Sequence, residues 1–282
     1  MKAVADTLSV ARSNLTERLA GRQPAARCRY SKADDAWLLP LIRELTDGRP
    51  TYGYRRVGSV LNRRFALEGK SSVNHKRIYR IMSQNGLLLE RHTGKRGDQP
   101  HEGRIITLHP NTRWCSDIFE IRCWNAEVVR VAFSLDCCDR EAIDHIGATS
   151  GISGEMIRDL MVGSVERRFG SLARLPRPIQ WLSDNGSAYT ADETVRFAQA
   201  LGLVPCTTPV RSPESNGMAE AFVKTFKRDY VYVHDLPDAT TVLAQLAQWF
   251  DDYNEHAPHK GLKMKSPRQF IRSHLATASC PV

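Results

Sequence analysis

A chain of 282 residues with 41% hydrophobic content has material for two packed units, and the absence of any run of about 18 apolar residues argues against a membrane-spanning helix. Its seven cysteines, at 28, 115, 123, 137, 138, 206 and 280, are odd in number, scattered and without Cys-x-x-Cys spacing, which speaks against a disulfide framework or a zinc knuckle and for reduced thiols. The formal charge of +9 is unevenly held: residues 1–105 carry 21 Lys and Arg against 10 Asp and Glu, whereas residues 106–282 carry 19 against 21. A basic unit joined to a nearly neutral one points to a polyanion as partner, and nucleic acid is the commonest.

The first twenty residues mix Lys2, Arg12 and Arg18 with Asp6 and Glu17, unlike the apolar core of a signal peptide, so a cytoplasmic protein is expected. Residues 8–22 read as the recognition helix of a helix-turn-helix that starts upstream, making residues 1–30 a partial remnant or a flexible N-terminus. Residues 31–90 read as a three-helix unit. Trp37, Leu38, Leu41, Ile42 and Leu45 recur at helical spacing up to Asp47-Gly48, and a turn follows at residues 49–54. A second helix sets Val57, Val60 and Leu61 against Arg55, Arg56, Arg63 and Arg64. A third opens near Asn74, buries Ile78, Ile81 and Met82, points His75, Lys76, Arg77 and Arg80 outward, and stops at Gly86. Three short helices with a basic last one fit a helix-turn-helix that lays its final helix in the major groove, with Arg55, Arg56, Lys76, Arg77 and Arg80 as candidate DNA contacts. The alternative is a basic three-helix packing unit without a partner.

Residues 91–107, with three glycines and a proline among residues 91–104, read as a linker. A core is then expected over 108–275, followed by a short tail, 276–282. Residues 114–121, 128–136 and 141–148 have strand texture. Residues 156–169 are in helical register, and 178–183 form a short buried strand running into Asp184. A helix over 192–201, a strand over 203–206, a loop to Glu214 and a helix over 216–231 follow, with a final helix over 240–253. Strands followed by alternating helices and strands predict a mixed α/β architecture.

Three acidic residues stand out in that layout. Asp117 lies inside the first strand, Asp184 at the carboxyl end of a strand, where open α/β sheets place their sites, and Glu220 on a helix. Hard cations such as Mg²⁺ take oxygen ligands, and two ions roughly 3.5–4 Å apart clamp the attacking and leaving oxygens of a phosphoryl displacement. Singly, a strand Asp or a helix Glu is more often a surface or salt-bridge residue. Asp136 and Asp139 at the end of the second strand, and His256 and His259 near the end of the chain, read as structural.

Spacing and context favour the catalytic reading. Thirty-five residues separate Asp184 from Glu220, the flanking stretches read S-D-N-G-S at 183–187 and R-S-P-E-S-N-G-M-A-E at 211–220, and Lys227 follows. This resembles the Asp-Asp-(35)-Glu signature of retroviral integrases and bacterial insertion-sequence transposases. The residues 114–117, W-C-S-D, are similar to that family's first-strand motif. The stretches Y-G-Y-R-R at 52–56, K-R-I-Y-R-I-M at 76–82, G-L at 86–87 and Y-N-E-H at 253–256, with His259 and Ser266-Pro267, resemble the B-frame transposases of the insertion sequence three family, in the insertion sequence two group.

The resemblance implies an RNase H-like, integrase-type catalytic core preceded by a small all-α helix-turn-helix domain. It implies metal-dependent strand cleavage and 3′-end strand transfer at insertion-sequence ends. Asp117, Asp184 and Glu220 would bind two Mg²⁺ or Mn²⁺ ions, one activating water or a 3′-hydroxyl and the other stabilising the departing 3′-oxygen. Lys224 and Lys227, four and seven positions beyond Glu220, would hold the phosphate backbone, and the loop from Thr207 to Ser215 would be mobile without DNA. The implied partners are double-stranded DNA, as terminal inverted repeats and target, and the A-frame protein of the same element, free or fused by frameshifting. Homodimers or larger assemblies would form on DNA. Retroviral integrases carry a zinc module that this sequence lacks. Two other readings stay open: a DNA-binding regulator that does not cleave, and a nuclease acting on RNA–DNA hybrids.

Overall fold

The computed structural model describes residues 33–90, 107–207 and 217–278, together with Val4, Thr7, Thr16 and Leu19. The expectations for most of residues 1–30, for the linker up to residue 106, for the loop after Thr207 and for residues 279–282 lie outside the described residues.

A 3₁₀ turn, Ala33–Asp35, leads into α1 (Leu38–Gly48), α2 (Tyr54–Leu67) and α3 (His75–Gln84). Their inner faces bury Leu38, Ile42, Val57, Leu61, Phe65, Ile78, Ile81 and Met82 in one cluster. Asn74 caps α3 by accepting the Lys76 N–H at 2.8 Å, which satisfies one of the orphan donors of a helix start.

Two basic residues expected to face outward from α3 are instead part of this packing. Arg77 donates to the Asp35 carboxylate at 2.7 Å and to the Asp34 carbonyl, and Arg80 binds the other Asp35 oxygen. The reason is local. Asp35 is almost buried, and a carboxylate withdrawn from water needs a cation. Burial pushes the Asp35 carboxyl up, but the hydrogen bonds and charges of Arg77 and Arg80 prevail and hold it below its usual value.

The second unit is a five-stranded sheet in the order β3-β2-β1-β4-β5. Its strands are β1 (Arg113–Arg122), β2 (Val128–Asp136), β3 (Ala142–Ala148), β4 (Ile179–Ser183) and β5 (Leu203–Thr207). The first three are antiparallel, and β4 and β5 run parallel to β1. Between β3 and β4 runs α4 (Gly154–Phe169), and between β4 and β5 lie α5 (Ser187–Thr190) and α6 (Asp192–Leu201). After β5 come α7 (Gly217–Asp229), α8 (Ala239–His256) and α9 (Pro267–Ala278). Ser153 and Asp238 cap α4 and α8 with their side-chain oxygens.

Each face of the sheet has its own apolar layer. On one, Phe119, Phe133, Phe222, Phe226 and Phe250 pack together beneath α7 and α8. On the other, Trp114, Ile157, Leu160, Val165 and Trp181 pack beneath α4 and α6. Strand alternation explains the division, since neighbours along β1 point to opposite faces. Asp139 is fully buried and paired bidentately with Arg168. Asp136 accepts the backbone N–H groups of Asn111 and Cys138. Both are structural, as their positions at the strand end suggest. Beyond the expected last helix, α9 packs on α8, with Arg268 bonded to Glu141 and Glu255 and Arg272 to Glu255; α9 runs past position 275, where the sequence places the end of the core.

The helical unit docks on the core through ions. Arg49 clasps Asp252 of α8 bidentately. Asp229, at the end of α7, accepts from Thr51 and Arg56 at 2.7 Å each and from its neighbour Arg228. Arg56, expected on DNA, is thus a domain-docking residue: its side chain is largely shielded and that of Asp229 is 2% exposed. Burial raises the Asp229 carboxyl, and the opposing pull of Arg228, Arg56 and Thr51 leaves it below its usual value; Asp252 behaves likewise against Arg49.

Removing the acid leaves a shielded Arg56 unpaired, at a cost of about 3 kcal/mol. Asp229→Ala is therefore expected to split thermal unfolding into two transitions and to speed proteolysis between residues 90 and 107. Because both docking acids have depressed values, their contribution is complete above about pH 4 and is lost as pH falls through those values. A single unchanged transition in the variant would contradict this docking.

Candidate active site

Asp117 stands in the middle of β1, opposite Phe133 of β2. By alternation it shares a face with Cys115, Phe119 and Ile121, the face covered by α7. On its other side β1 pairs in parallel with β4 up to Cys115↔Leu182, and the same register carried two residues further brings Asp117 level with Asp184. Asp184 leaves the sheet there. Its Oδ1 accepts the Gly186 N–H at 3.1 Å, an Asx-type turn, before α5 begins. A Cβ at position 186 would lie 3.0 Å from that same oxygen, so glycine keeps the Asp184 carboxylate uncrowded.

Glu220 arrives from above. α7 rests on β1 through Phe226, whose ring lies 5.7 Å from that of Phe119, and on β2 through Phe222, 4.5 Å from Phe133. Those two partners are the residue two along from Asp117 and the residue across from it. Aromatic docking therefore sets Glu220, at the N-terminal end of α7, over the Asp117 face.

The electrostatics record the approach. Asp117 is pushed up to about 6, first by burial and then by the like charges of Asp184 and Glu220, against the pull of the Ile118 N–H on its carboxylate at 2.8 Å. Lys224 reaches back to Glu220 Oε2 at 3.3 Å; its side chain is 78% exposed, so this pair is worth little. Lys227 holds its ammonium over the Phe119 ring, 5.7 Å from the centroid. Lys224 thus lies beside Glu220, and Lys227 over the ring two residues along β1 from Asp117. Of the other basic residues set down for DNA, Arg55 and Lys76 are exposed, whereas Arg56, Arg77 and Arg80 are bound to Asp229 and Asp35.

The donor set is chemically suited to a hard divalent cation: three carboxylates and no sulfur or imidazole. Asp117 carries excess negative charge around it, and among the described residues its hydrogen bond is to a backbone N–H. Among those residues, however, no three His, Cys, Asp or Glu side chains are gathered closely enough to hold an ion.

Two supporting residues were not singled out from the sequence. Ser116, on the opposite face of β1 from Asp117, hydrogen-bonds the Tyr189 hydroxyl of α5 at 2.8 Å in a fully buried contact. This ties the strand of Asp117 to the segment following Asp184. The signal was a serine in a position that alternation assigns to an apolar layer, where a hydroxyl requires a partner. The histidines near the chain end are structural: His259 is driven down to about 3 by burial and by Arg56 and Arg140, and His256 pairs with Asp252 at 3.3 Å.

The chain is similar to known proteins. Models of an integrase core domain match residues 107–213 and 202–267, and a model of a helix-turn-helix-like domain matches 32–96. The transposase InsD of the insertion elements IS2A/D/F/H/I/K of Escherichia coli is 50% identical over 246 residues, 86% of this chain and 81% of the relative. InsD of insertion element IS2-9 from Escherichia coli strain K12 is also 50% identical, over 86% and 80%. Among solved structures, a chain of the simian T-cell lymphotropic virus intasome in complex with PP2A regulatory subunit B56 gamma superposes with a TM-score of 0.50 at 16% identity, covering 82% of this chain and 73% of that one. The fold is shared with it.

A raised carboxyl favours the folded state below about pH 4 and loses that contribution as pH rises through about 6. In EDTA at pH 7.5, Asp117→Asn is therefore expected to be more stable than the parent by about 1 kcal/mol after allowance for screening. The gain should vanish at pH 4, and equal melting at both pH values would contradict the electrostatic account.

Proposed function

The chain belongs to the integrase-core transposases of bacterial insertion elements, of the insertion sequence three type, and from that premise we propose that Asp117, Asp184 and Glu220 are the residues at which it cuts and joins DNA. Its activity is that of a transposase, a polynucleotidyl transferase acting on DNA. The observation that supports the site assignment is the parallel β1–β4 register, which ends at Cys115↔Leu182 and, carried two residues on, brings Asp117 level with Asp184, together with the like charges of Asp184 and Glu220 felt at Asp117.

Integrase-core transposases use a divalent metal. In this reading it is Mg²⁺ or Mn²⁺, two ions held by the three carboxylates. When bound, the pair supplies charge stabilisation to the attacking and departing oxygens of an in-line displacement. The chain's own residues do the rest. Asp117 must lose its proton to serve as a ligand, so function rises with pH through about 6. Lys224 and Lys227, on the Glu220 face, position the phosphate backbone against the carboxylates. The Ser116–Tyr189 bond holds the two aspartate-bearing segments in fixed relation. No covalent bond between protein and DNA is required.

DNA is the partner. The tying-down of Arg56, Arg77 and Arg80 supports shared recognition of the element ends, since α3 keeps only His75, Lys76, Tyr79 and Ser83 exposed. The A-frame product of the same element, free or fused to this chain, supplies the remainder in this reading, and dimers or larger assemblies form on DNA. Among the described residues no helix is long and apolar enough to cross a membrane.

The test is strand transfer on oligonucleotides bearing the element's terminal inverted repeat, with Mg²⁺ or Mn²⁺. Asp117→Asn, Asp184→Asn and Glu220→Gln should each lower product about a thousandfold, several kcal/mol of lost transition-state stabilisation, while gel-shift affinity for the same DNA is retained. Product at the parental rate from any one variant removes that residue from the site.

A further inference from the structure

Where the helical unit meets the end of the core there is a cleft of about 930 Å³. One wall is α2, which contributes Arg55 and Arg63; the other is the segment after α8, which contributes Lys260, Lys263 and Lys265. Among the described residues no Asp or Glu lines it. The floor between the walls is apolar or small, with Gly58, Ala66, Val73, Pro258 and Met264.

The lysine wall is built at a cost. Lys263 and Met264 are consecutive non-glycine residues in the left-handed region, at φ 54° and 65°, each about 1–2 kcal/mol above ordinary backbone. The turn persists because it is pinned. The His259 carbonyl accepts the Leu262 and Met264 N–H groups, the His259 N–H donates to the Lys265 carbonyl, and Ser59 of α2 donates to the Met264 carbonyl at 2.9 Å. Three lysines on a six-residue stretch are thereby presented to one opening, each exposed at its head.

Arg63 gives the second observation. It donates to Gln269 and to the His256 carbonyl, its Nε is buried without an acceptor, and burial pushes its guanidinium below its usual value. Among the described residues it bonds no carboxylate. A desolvated cation held by neutral acceptors alone favours an incoming anion. The cleft also opens on Asn74 and His75 at the start of α3, where helix N–H groups favour negative charge.

We propose that this cleft binds an unpaired DNA strand, its phosphates on the lysine and arginine walls and its bases against the apolar floor. The size fits: a cleft of about 930 Å³ is ligand-sized. That volume holds a short run of nucleotides. Basic walls over an apolar floor are the chemistry of single-strand grooves. The choice of DNA as the polyanion rests on the transposase reading; the site itself does not involve the three carboxylates.

The experiment measures fluorescence anisotropy of the full chain with a labelled oligothymidylate of about ten nucleotides. Lys260→Glu/Lys263→Glu should weaken binding at least about tenfold and lower the salt slope by about 1.4, the share of two phosphate contacts on a single strand. Lys260→Gln/Lys263→Gln should fall between that variant and the parent. Affinity for a blunt duplex of equal length should change less than about twofold, because duplex contacts lie elsewhere. Unchanged oligothymidylate binding, an equal loss on the duplex, or displacement of the oligonucleotide by polyglutamate at matched charge would each overturn the proposal. Asp184→Asn should bind the oligonucleotide like the parent. Strand transfer at the parental rate in Asp117→Asn, with oligothymidylate binding lost only in the lysine variants, would refute the catalytic assignment and leave this one standing.

Discussion

The like charges of Asp184 and Glu220 bear on Asp117, and what holds Glu220 over the Asp117 face is the aromatic layer beneath α7. Phe222 and Phe226 of that helix lie on Phe133 and Phe119 of the sheet, and each buried phenylalanine stabilises the docking by about 2 kcal/mol, with a further ~1 kcal/mol for a well-set ring pair. Against this stands the disfavoured ionisation of Asp117, about 3 kcal/mol at most from its displacement to about 6 and less after screening. Packing wins, so the electrostatically unfavourable arrangement persists. In the proposed reading, rigid elements hold the ligands and the strain lies in charge.

The same helix joins the site to the DNA-binding unit. Glu220 lies near the start of α7 and Asp229 at its end; nine residues at 1.5 Å each span about 13.5 Å. Asp229 receives Arg56 and Thr51 from the helical unit, so one helix runs from the Asp117 face to the domain junction. The polar character of the junction, with ions from Arg49, Arg56, Asp229 and Asp252, makes it more sensitive to pH than an apolar seam would be.

Much of this was legible in the sequence because it depends on local pattern. Richness in β-branched and aromatic residues marked β1 and β2, helical periodicity marked α1 and α4, and the family resemblance followed from short motifs with fixed spacing. The rest depended on partners far away in the chain. Arg56 reads as one more cation in a basic helix, and only the fold reveals Asp229, 173 positions distant. Arg77 and Arg80 were expected in solvent because helical spacing gives direction but not the neighbour, here Asp35 from the turn before α1. The helix α9 went unassigned since its one apolar stripe is short and its stability comes from Arg268 and Arg272 binding acids of the core. The left-handed turn at Lys263 and Met264 carries no glycine to announce it. For the three carboxylates the sequence supplies spacing, and the fold adds the register and the aromatic contacts that give the spacing a physical meaning.

In the proposed reading these three carboxylates form one cation site whose charge is held in place by packing. Mn²⁺ titration followed by electron paramagnetic resonance tests it most directly. The account predicts binding by the parent that strengthens as pH rises through about 6, where Asp117 loses its proton, and that is lost in Asp117→Asn and in Glu220→Gln alike. Mn²⁺ binding that is independent of pH between 5 and 7.5, or that survives both substitutions unchanged, would contradict it.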